Sequence, residues 1–311
     1  MSLEVKNVVK TYGEKVAVNN ISFEMKEPGV FALLGTNGAG KTTTIRMILG
    51  MLSKDSGSVL LNGEELDTVN SNIGYLAEER GLYPKYSLMD QLLYFAKLKK
   101  VPKNTAKERI KYWAKRLEVE EYIYPKPLKN KKSKPMNADQ LSKGNQQKIQ
   151  LMAALISNPD IIVLDEPLSG LDPVNADLFK SIIKEEIEKK KYLIMSSHQM
   201  ATIEEFCSDI IILNRGNAVL QGNLAEIKKS YGRVNMHIKC EEDIESLINE
   251  FEFESVDKNV EEYEIKVKGE EQAKEFLNLL VNNNITVIKF ELREPSLHEI
   301  FVEKVGNAHE E

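Results

Sequence analysis

The run Gly35-Thr-Asn-Gly-Ala-Gly-Lys41-Thr42-Thr43 constrains this chain more than any other segment. It fits the pattern Gly-x4-Gly-Lys-Thr, and its flanks fit a strand–loop–helix unit. Val30-Phe-Ala-Leu-Leu34, just before it, is a continuous apolar run, as a strand buried on both faces requires. After it, Ile45, Ile48, Leu49 and Leu52 recur at i, i+3, i+4 and i+7, one face of a helix. Glycines at 35, 38 and 40 let the backbone curl so that its N–H groups face a polyphosphate, with Asn37, Ala39 and Thr43 completing the cradle. The helix N-terminus adds the positive end of its dipole. Lys41 is expected to reach the β- and γ-phosphates, and the Thr42 hydroxyl to hold Mg²⁺.

At 311 residues the chain is long enough for two domains. An apolar content of 42% and a charged content of 29% are those of an ordinary globular protein. The longest apolar runs, Ile161-Ile-Val-Leu164 and Ile210-Ile-Ile-Leu213, fall far short of the ~20 residues that cross a bilayer. The N-terminus lacks the basic and apolar tract of a signal peptide. Cys207 and Cys240 stand in unrelated contexts and read as reduced thiols, without metal spacing. The net charge of −6 is uneven, because residues 232–311 hold 9 Lys/Arg against 20 Asp/Glu. That shift predicts two domains, 1–230 and 231–311, and argues against a nucleic-acid role for the acidic one.

Residues 1–25 alternate as strands do, and Asn62-Gly63 after Ser58-Val-Leu-Leu61 is a hairpin turn. A helical stretch over 88–118 is broken at Val101-Pro102, and residues of about 86–157 read as a helical subdomain. Lys126–Lys134 carries five lysines and reads as a solvated loop. Helices over 145–156, 174–190 and 200–207 then alternate with apolar strands over 161–165, 192–196 and 210–214, which predicts a parallel sheet covered on both faces. A further strand is expected over 218–221. From Val234 the order becomes β-α-β-β-α-β, closed by a helix over Ser296–Val305, which predicts a small ferredoxin-like α+β domain.

Three more groups carry chemistry. Asp165-Glu166 ends the buried run Ile161–Leu164. A carboxylate at such a strand tip can hold Mg²⁺, and its neighbour can orient or deprotonate an attacking water. His198 follows another buried strand, and in open parallel sheets ligands sit beyond the carboxyl ends of strands. Lys41, Asp165, Glu166 and His198 are therefore expected on one edge. Ser142 and Gly144, in Leu141-Ser-Lys-Gly-Asn-Gln-Gln147, open a helix and form a second anion site. His237, His298 and His309 have no such address and read as structural.

Taken in order, these motifs resemble the nucleotide-binding subunit of an ABC transporter. Gly35–Thr43 resembles its Walker A motif, Leu141–Asn145 its LSGGQ motif, Ile161–Glu166 its Walker B motif, Ser169-Gly-Leu-Asp172 its D-loop, and His198 its switch histidine. Tyr12, in Lys10-Thr-Tyr-Gly13, stands where the family stacks an aromatic on adenine. The resemblance covers about residues 1–230. Gly74-Tyr-Leu-Ala-Glu-Glu-Arg-Gly-Leu-Tyr-Pro84 and the acidic tail are similar to the sodium- and drug-efflux branch.

The resemblance implies a P-loop α/β fold with a mixed sheet, an antiparallel β part and a helical subdomain. It implies an ATPase using ATP and Mg²⁺, with Glu166 activating water, Asp165 and Thr42 on the metal, and His198 at the γ-phosphate. It implies a sandwich dimer, homo- or heteromeric, in which Ser142 and Gly144 of one subunit close over the ATP of the other. A separate transmembrane permease is the expected partner, and no nucleic acid. The chain would then be cytoplasmic and peripheral on the inner face of the cell membrane. Its docking surface is expected around residues 78–99, with Tyr83, Tyr86, Leu88, Leu92, Tyr94 and Phe95, much of which must also be core. Three positions depart from the family pattern. Glu78 replaces the Q-loop glutamine; its anionic oxygen can still approach Mg²⁺ or water, which makes it a third metal residue beside Thr42 and Asp165, but it cannot donate a hydrogen bond. Lys143 and Asn145 replace Gly and Gln of LSGGQ, and the Lys126–Lys134 loop is longer and more basic.

Overall fold

The computed structural model describes residues 1–79, 81–125, 134–259 and 262–306. β1 (Leu3–Tyr12) and β2 (Lys15–Met25) pair antiparallel, as their alternating apolar residues require. β3 (Gly29–Leu34) and α1 (Lys41–Ile48) flank the phosphate loop. β4 (Ser56–Leu61) and β5 (Glu64–Glu65) form a hairpin, with Asn62 at φ 53° and Gly63 at φ 85° supplying the left-handed turn. β6 (Ile73–Leu76) leads to α2 (Leu88–Leu98), α3 (Lys103–Arg116), α4 (Glu120–Ile123) and α5 (Lys143–Leu155), which pack on one another. Pro102 caps α3 and sets the break between α2 and α3.

β7 (Ile161–Asp165), α6 (Pro173–Glu188), β8 (Tyr192–Ser197), α7 (Met200–Glu204), β9 (Asp209–Asn214) and β10 (Asn217–Asn223) follow. Then come α8 (Leu224–Tyr231), β11 (Asn235–Cys240), α9 (Glu245–Asn249), β12 (Ser255–Lys258), β13 (Tyr263–Lys266), α10 (Glu270–Asn282), β14 (Val287–Arg293) and α11 (Leu297–Gly306).

The chain divides into two compact units, Met1–Gln221 and Gly222–Glu311. The division falls ahead of the 230/231 boundary expected from charge, and α8 accounts for the difference. Asn223 caps α8 by accepting from the N–H groups of Ala225 and Glu226, and the Tyr231 hydroxyl at its far end donates to Glu303 of α11. Lys304 of α11 also lies over the Tyr231 ring. The helix is tied forward in the chain, whereas the acidic composition begins only after it.

In the first unit, six strands in the order β10-β9-β3-β8-β7-β6 form the central sheet, with β9, β3, β8, β7 and β6 parallel. A second sheet, β2-β1-β4-β5, is antiparallel. α1 is packed between the two. Leu3, Val5 and Phe23 from one sheet and Phe31, Val163 and Ile194 from the other close a single core around Ile45 and Ile48. The Phe23 and Phe31 rings stack at 4.2 Å. The opposite-parity residues Val30, Ala32, Leu34, Ile162, Leu164 and Leu193 are buried as well, so the central sheet is covered on both faces.

The second unit has the antiparallel strand order β12-β13-β11-β14, the ferredoxin-like arrangement. Met236, Ile238, Tyr263 and Ile265 supply its core face, and Ile248, Ala273, Phe276 and Leu280 of α9 and α10 cover it. Cys207 and Cys240 are unbridged. The run Lys126–Ser133 and His309 lie outside the described residues.

Candidate nucleotide site

The phosphate loop leaves β3 and returns at α1 through three glycines with positive φ. A Cβ at Gly35 (φ 155°) would sit 2.5 Å from the Leu213 carbonyl oxygen, and one at Gly40 (φ 108°) 2.7 Å from that of Ala17. Only glycine lets the loop pass so close to β9 and β2. Gly40 is also the N-cap of α1, and no side chain caps that helix, so its first-turn amides are left for a ligand. Lys41 is buried. Its Nζ donates to the carbonyls of Gly35 at 2.8 Å and Thr36 at 3.3 Å, and pairs with Glu166 Oε1 at 3.3 Å.

Parallel pairing aligns Asp165 with Ser196 across β7 and β8, and the chemistry follows from that register. Ser196 Oγ donates to Asp165 Oδ1 at 2.5 Å and accepts the Glu166 N–H at 2.9 Å. Thr42 Oγ1 donates to the same Asp165 oxygen at 3.3 Å, which ties the loop to the strand tip. Glu166 turns off the strand at φ 48°, a conformation rare for a non-glycine residue, and its Oε2 meets His198 Nδ1 at 2.8 Å. Burial pushes the Asp165 carboxyl above the usual carboxylate range, and the Glu166 charge adds to it. Hydrogen bonds from Ser196 and Thr42 and the Lys41 charge oppose the rise.

A cavity of about 370 Å³ is lined by Tyr12, Lys15, Ala17, the stretch Thr36–Thr43, Glu78 and Glu166. Of the expected residues it gathers Tyr12, Asn37, Gly38, Ala39, Gly40, Lys41, Thr42, Thr43, Glu78 and Glu166. Asp165 lies just behind it through Thr42, and His198 joins through Glu166, its side chain 44% exposed. Ser142 and Gly144 are not brought to this cavity. They sit at the start of α5, where Ser142 Oγ accepts the Asn145 N–H at 3.3 Å. Gln147 of the same helix donates to the Pro167 carbonyl at 2.8 Å, which moors α5 beside the Ser169–Asp172 loop.

Lys15, Ala17 and Thr36 are cavity residues that the motif reading misses. The turn at Gly13 pairs Lys15 with Tyr12 across the hairpin, so the alternation of residues 1–25 already held the signal. Of the residues around the expected docking surface, Leu88 and Leu92 form the core part: both are fully buried in α2 and cannot offer a docking surface. Tyr83, Tyr86 and Tyr94 are exposed, with Gln91 bridging them by hydrogen bonds to the backbone of Tyr83 and Tyr86.

The donor set suits a hard divalent cation. Asp165 Oδ2 is a buried oxygen without a hydrogen-bond partner, the Thr42 hydroxyl bonds the other oxygen of the same carboxylate, and Glu166 Oε1 makes no hydrogen bond but faces Lys41 Nζ at 3.3 Å. Oxygen donors of this kind match Mg²⁺, and an unpaired buried carboxylate oxygen is costly unless a cation meets it.

A phosphate loop, a strand-tip carboxylate pair and a histidine on the second carboxylate define a P-loop nucleotide hydrolase. Residues 18–169 match the ABC transporter family, and residues 222–305 match the C-terminal domain of DrrA1-3-like ATP-binding proteins. The chain is 40% identical over 309 residues to the uncharacterized ABC transporter ATP-binding protein YhaQ of Bacillus subtilis, covering 99% of this chain and 100% of that one. It is 29% identical over 324 residues to the linearmycin resistance ATP-binding protein LnrL of the same organism, covering 98% of each. The fold is also that of the dimeric bacterial ABC transporter cassette MJ0796, with a TM-score of 0.63 and 23% identity over 71% of this chain and 98% of that one. The chain belongs to the ATP-binding proteins of ABC transporters, and it is an ATP-hydrolysing subunit of such a transporter.

Proposed function

We propose that this ATPase drives an exporter of the drug- or ion-efflux kind, acting on a separate permease from the cytoplasmic side of the membrane. Among the described residues no helix is long and apolar enough to cross a membrane. The kinship of residues 222–305 to DrrA1-3-like proteins and the end-to-end likeness to a linearmycin resistance protein favour efflux. The permease docks on the groove of about 440 Å³ whose walls include Leu49, Met51, Ile73, Leu82, Phe95 and Leu98.

The carrying observation is the position of Glu166, held between His198 Nδ1 at 2.8 Å and Lys41 Nζ at 3.3 Å. In the working cycle Tyr12 stacks on adenine and the stretch Gly35–Thr43 wraps the phosphates. Lys41 leaves the Gly35 and Thr36 carbonyls for the β- and γ-phosphates. That move frees Glu166 to take a proton from the attacking water, while His198 fixes its second oxygen and contacts the γ-phosphate. Thr42, Asp165 and Glu78 would hold Mg²⁺, which when bound neutralises phosphate charge. Ser142 and Gly144 close over the ATP of a second subunit, either another copy or a relative.

An affinity-tagged chain should co-purify with a membrane protein of several spans from its own cells. Reconstitution with that protein should raise MgATP turnover and move a lipophilic drug or an ion outward. Co-purification with ribosomes or with soluble complexes alone would overturn the exporter reading.

A further inference from the structure

A second cavity, of about 390 Å³, is walled among the described residues by Tyr83, Tyr86, Tyr94, Asp90 and Gln91. Its three rings are open to solvent, at 49%, 63% and 47% exposure. A folded chain rarely leaves so much aromatic surface in one place unless something covers it. The rings form a box. That of Tyr86 stands 5.8 Å from that of Tyr83 at 68°, and that of Tyr94 stands 6.5 Å from it at 72°. Phe95 backs Tyr83 with a near-parallel ring, 6.4 Å away at 16°. The box is preformed as well. Gln91, 2% exposed, accepts the Tyr83 N–H at 2.8 Å and donates to the Tyr83 and Tyr86 carbonyls at 3.0 and 2.9 Å, which fixes the turn that carries both rings. Asp90 and Tyr94 are four residues apart on α2 and share its face.

The chemistry of the walls selects a cation. Ring faces are negative, and an ammonium or guanidinium placed over them is attracted. Asp90 adds the one formal charge among the described walls. Its Oδ2 accepts from Ser87 Oγ at 2.6 Å, and among the described residues no cation pairs with it. Lys85, in the same turn, is not one of the walls. An anion would meet like charge here, and an apolar side chain would strip water from Asp90 without replacing its hydrogen bonds.

We propose that Tyr83, Tyr86, Tyr94 and Asp90 form a cage for one arginine or lysine side chain from a cytoplasmic loop of the permease. Cytoplasmic loops of membrane proteins carry an excess of these two residues, so such a partner is rich in the charge that the cage lacks. The inference rests on the permease-docking reading and deepens it, since Phe95 both lines the docking groove and backs the cage. The groove takes apolar surface, and the cage fixes where a cationic residue beside that surface must fall.

The first arm of the test titrates the full-length chain, its tyrosine rings labelled with ¹³C, with millimolar N-acetyl-argininamide and follows the ring signals by NMR. The neutral isostere N-acetyl-citrullinamide is the control. The Tyr83, Tyr86 and Tyr94 signals should shift saturably with the arginine probe and stay still with the citrulline one. Tyr86→Phe keeps the ring face and should keep the response, whereas Tyr86→Leu keeps apolar bulk and should lose it. The second arm captures the complex from its own cells through a tagged chain. Asp90→Asn and Tyr86→Leu should lower the recovered permease by about tenfold, and Tyr86→Phe should not. Thermal melts matching wild type show that the variants are folded. Equal shifts with both probes, or variants that hold as much permease as wild type, would overturn the proposal alone. Wild type that recovers no permease would overturn the docking reading and the cage with it.

Discussion

Two helices in the first unit carry the N-termini proposed to meet phosphate, and they are built differently. α1 begins at Gly40 with no side-chain cap, inside a cavity that also holds Lys41, Thr42, Glu78 and Glu166. α5 begins at Ser142, whose hydroxyl accepts its own helix's Asn145 N–H, and this N-terminus has no part in that cavity. The first terminus is a finished half-site. The second has a dipole, a hydroxyl engaged in capping and Lys143 as its first residue, and it lies outside the cavity that holds the strand-tip carboxylates. The difference teaches that one copy of the chain contains the groups proposed to react but only half of the contacts proposed to close on ATP. The dimer would therefore belong to the chemistry.

The sharpest way to break this comparison is to disable the finished half. Glu166→Gln should lower turnover by about 10²–10⁴-fold while ATP still binds, because it removes the carboxylate that activates water and little of the phosphate cradle. Lys41→Ala should instead weaken nucleotide binding itself. Steady-state hydrolysis and equilibrium binding, measured together, check both. Near wild-type turnover in Glu166→Gln would remove Glu166 from its proposed role.

The second half is tested by assembly. In the Glu166→Gln background ATP should convert monomers to dimers, and adding Ser142→Arg should prevent it, with light scattering as the readout. Ser142→Ala controls for helix stability, since it also loses the cap, worth about 1 kcal/mol, without adding bulk or charge. A Ser142→Arg protein that still dimerises with ATP would show that α5 does not face a second nucleotide. A wild-type background that stays monomeric with ATP would leave a heteromeric partner as the second half.

How much of this could be read beforehand differs between the same two regions. The phosphate loop was legible because its glycines, lysine and flanking apolar runs are local in sequence, and physics demands them together. The carboxylate pair was legible as a strand tip, but its contacts were not. The Ser196 bridge between Asp165 Oδ1 and the Glu166 N–H depends on β7 lying beside β8, a register set by long-range packing. α8 was missed because Leu224–Tyr231 is short and joins the second unit through Tyr231 and α11. Which apolar residues of 78–99 are core is not legible in sequence, because they look alike whether they face a core or a partner; Leu88 and Leu92 are the buried ones.

A smaller effect sharpens the base end of the α1 cavity. Tyr12 is 51% exposed at the end of β1, with Lys10 Nζ 5.6 Å from its ring centroid. An exposed ring beside a phosphate cavity is placed to stack on a flat base. Tyr12→Ala should weaken ATP by about 1–3 kcal/mol, and Tyr12→Phe should be nearly neutral. Titration with a fluorescent ATP analogue measures both. Equal losses would assign the contact to the hydroxyl instead of the ring.

The smallest expected effect is that of removing the second unit. Residues 222–311 have their own apolar core and their own closed strand order, and every residue lining the nucleotide cavity lies before Gln221. The phosphate loop is held by β9, β2 and β7, all within the first unit. A chain ending at Gln221 should therefore bind ATP with an affinity within about twofold of the full chain, a difference under 0.5 kcal/mol. β10 runs on to Asn223, so the cut shortens an end strand of the central sheet, and circular dichroism with thermal melting should accompany the titration. A shortened chain that keeps its helix and sheet signal but loses nucleotide would place part of the ATP site in the acidic unit. An intact affinity with lost ATP-driven dimerisation would assign that unit to assembly, the step α5 alone leaves unfinished.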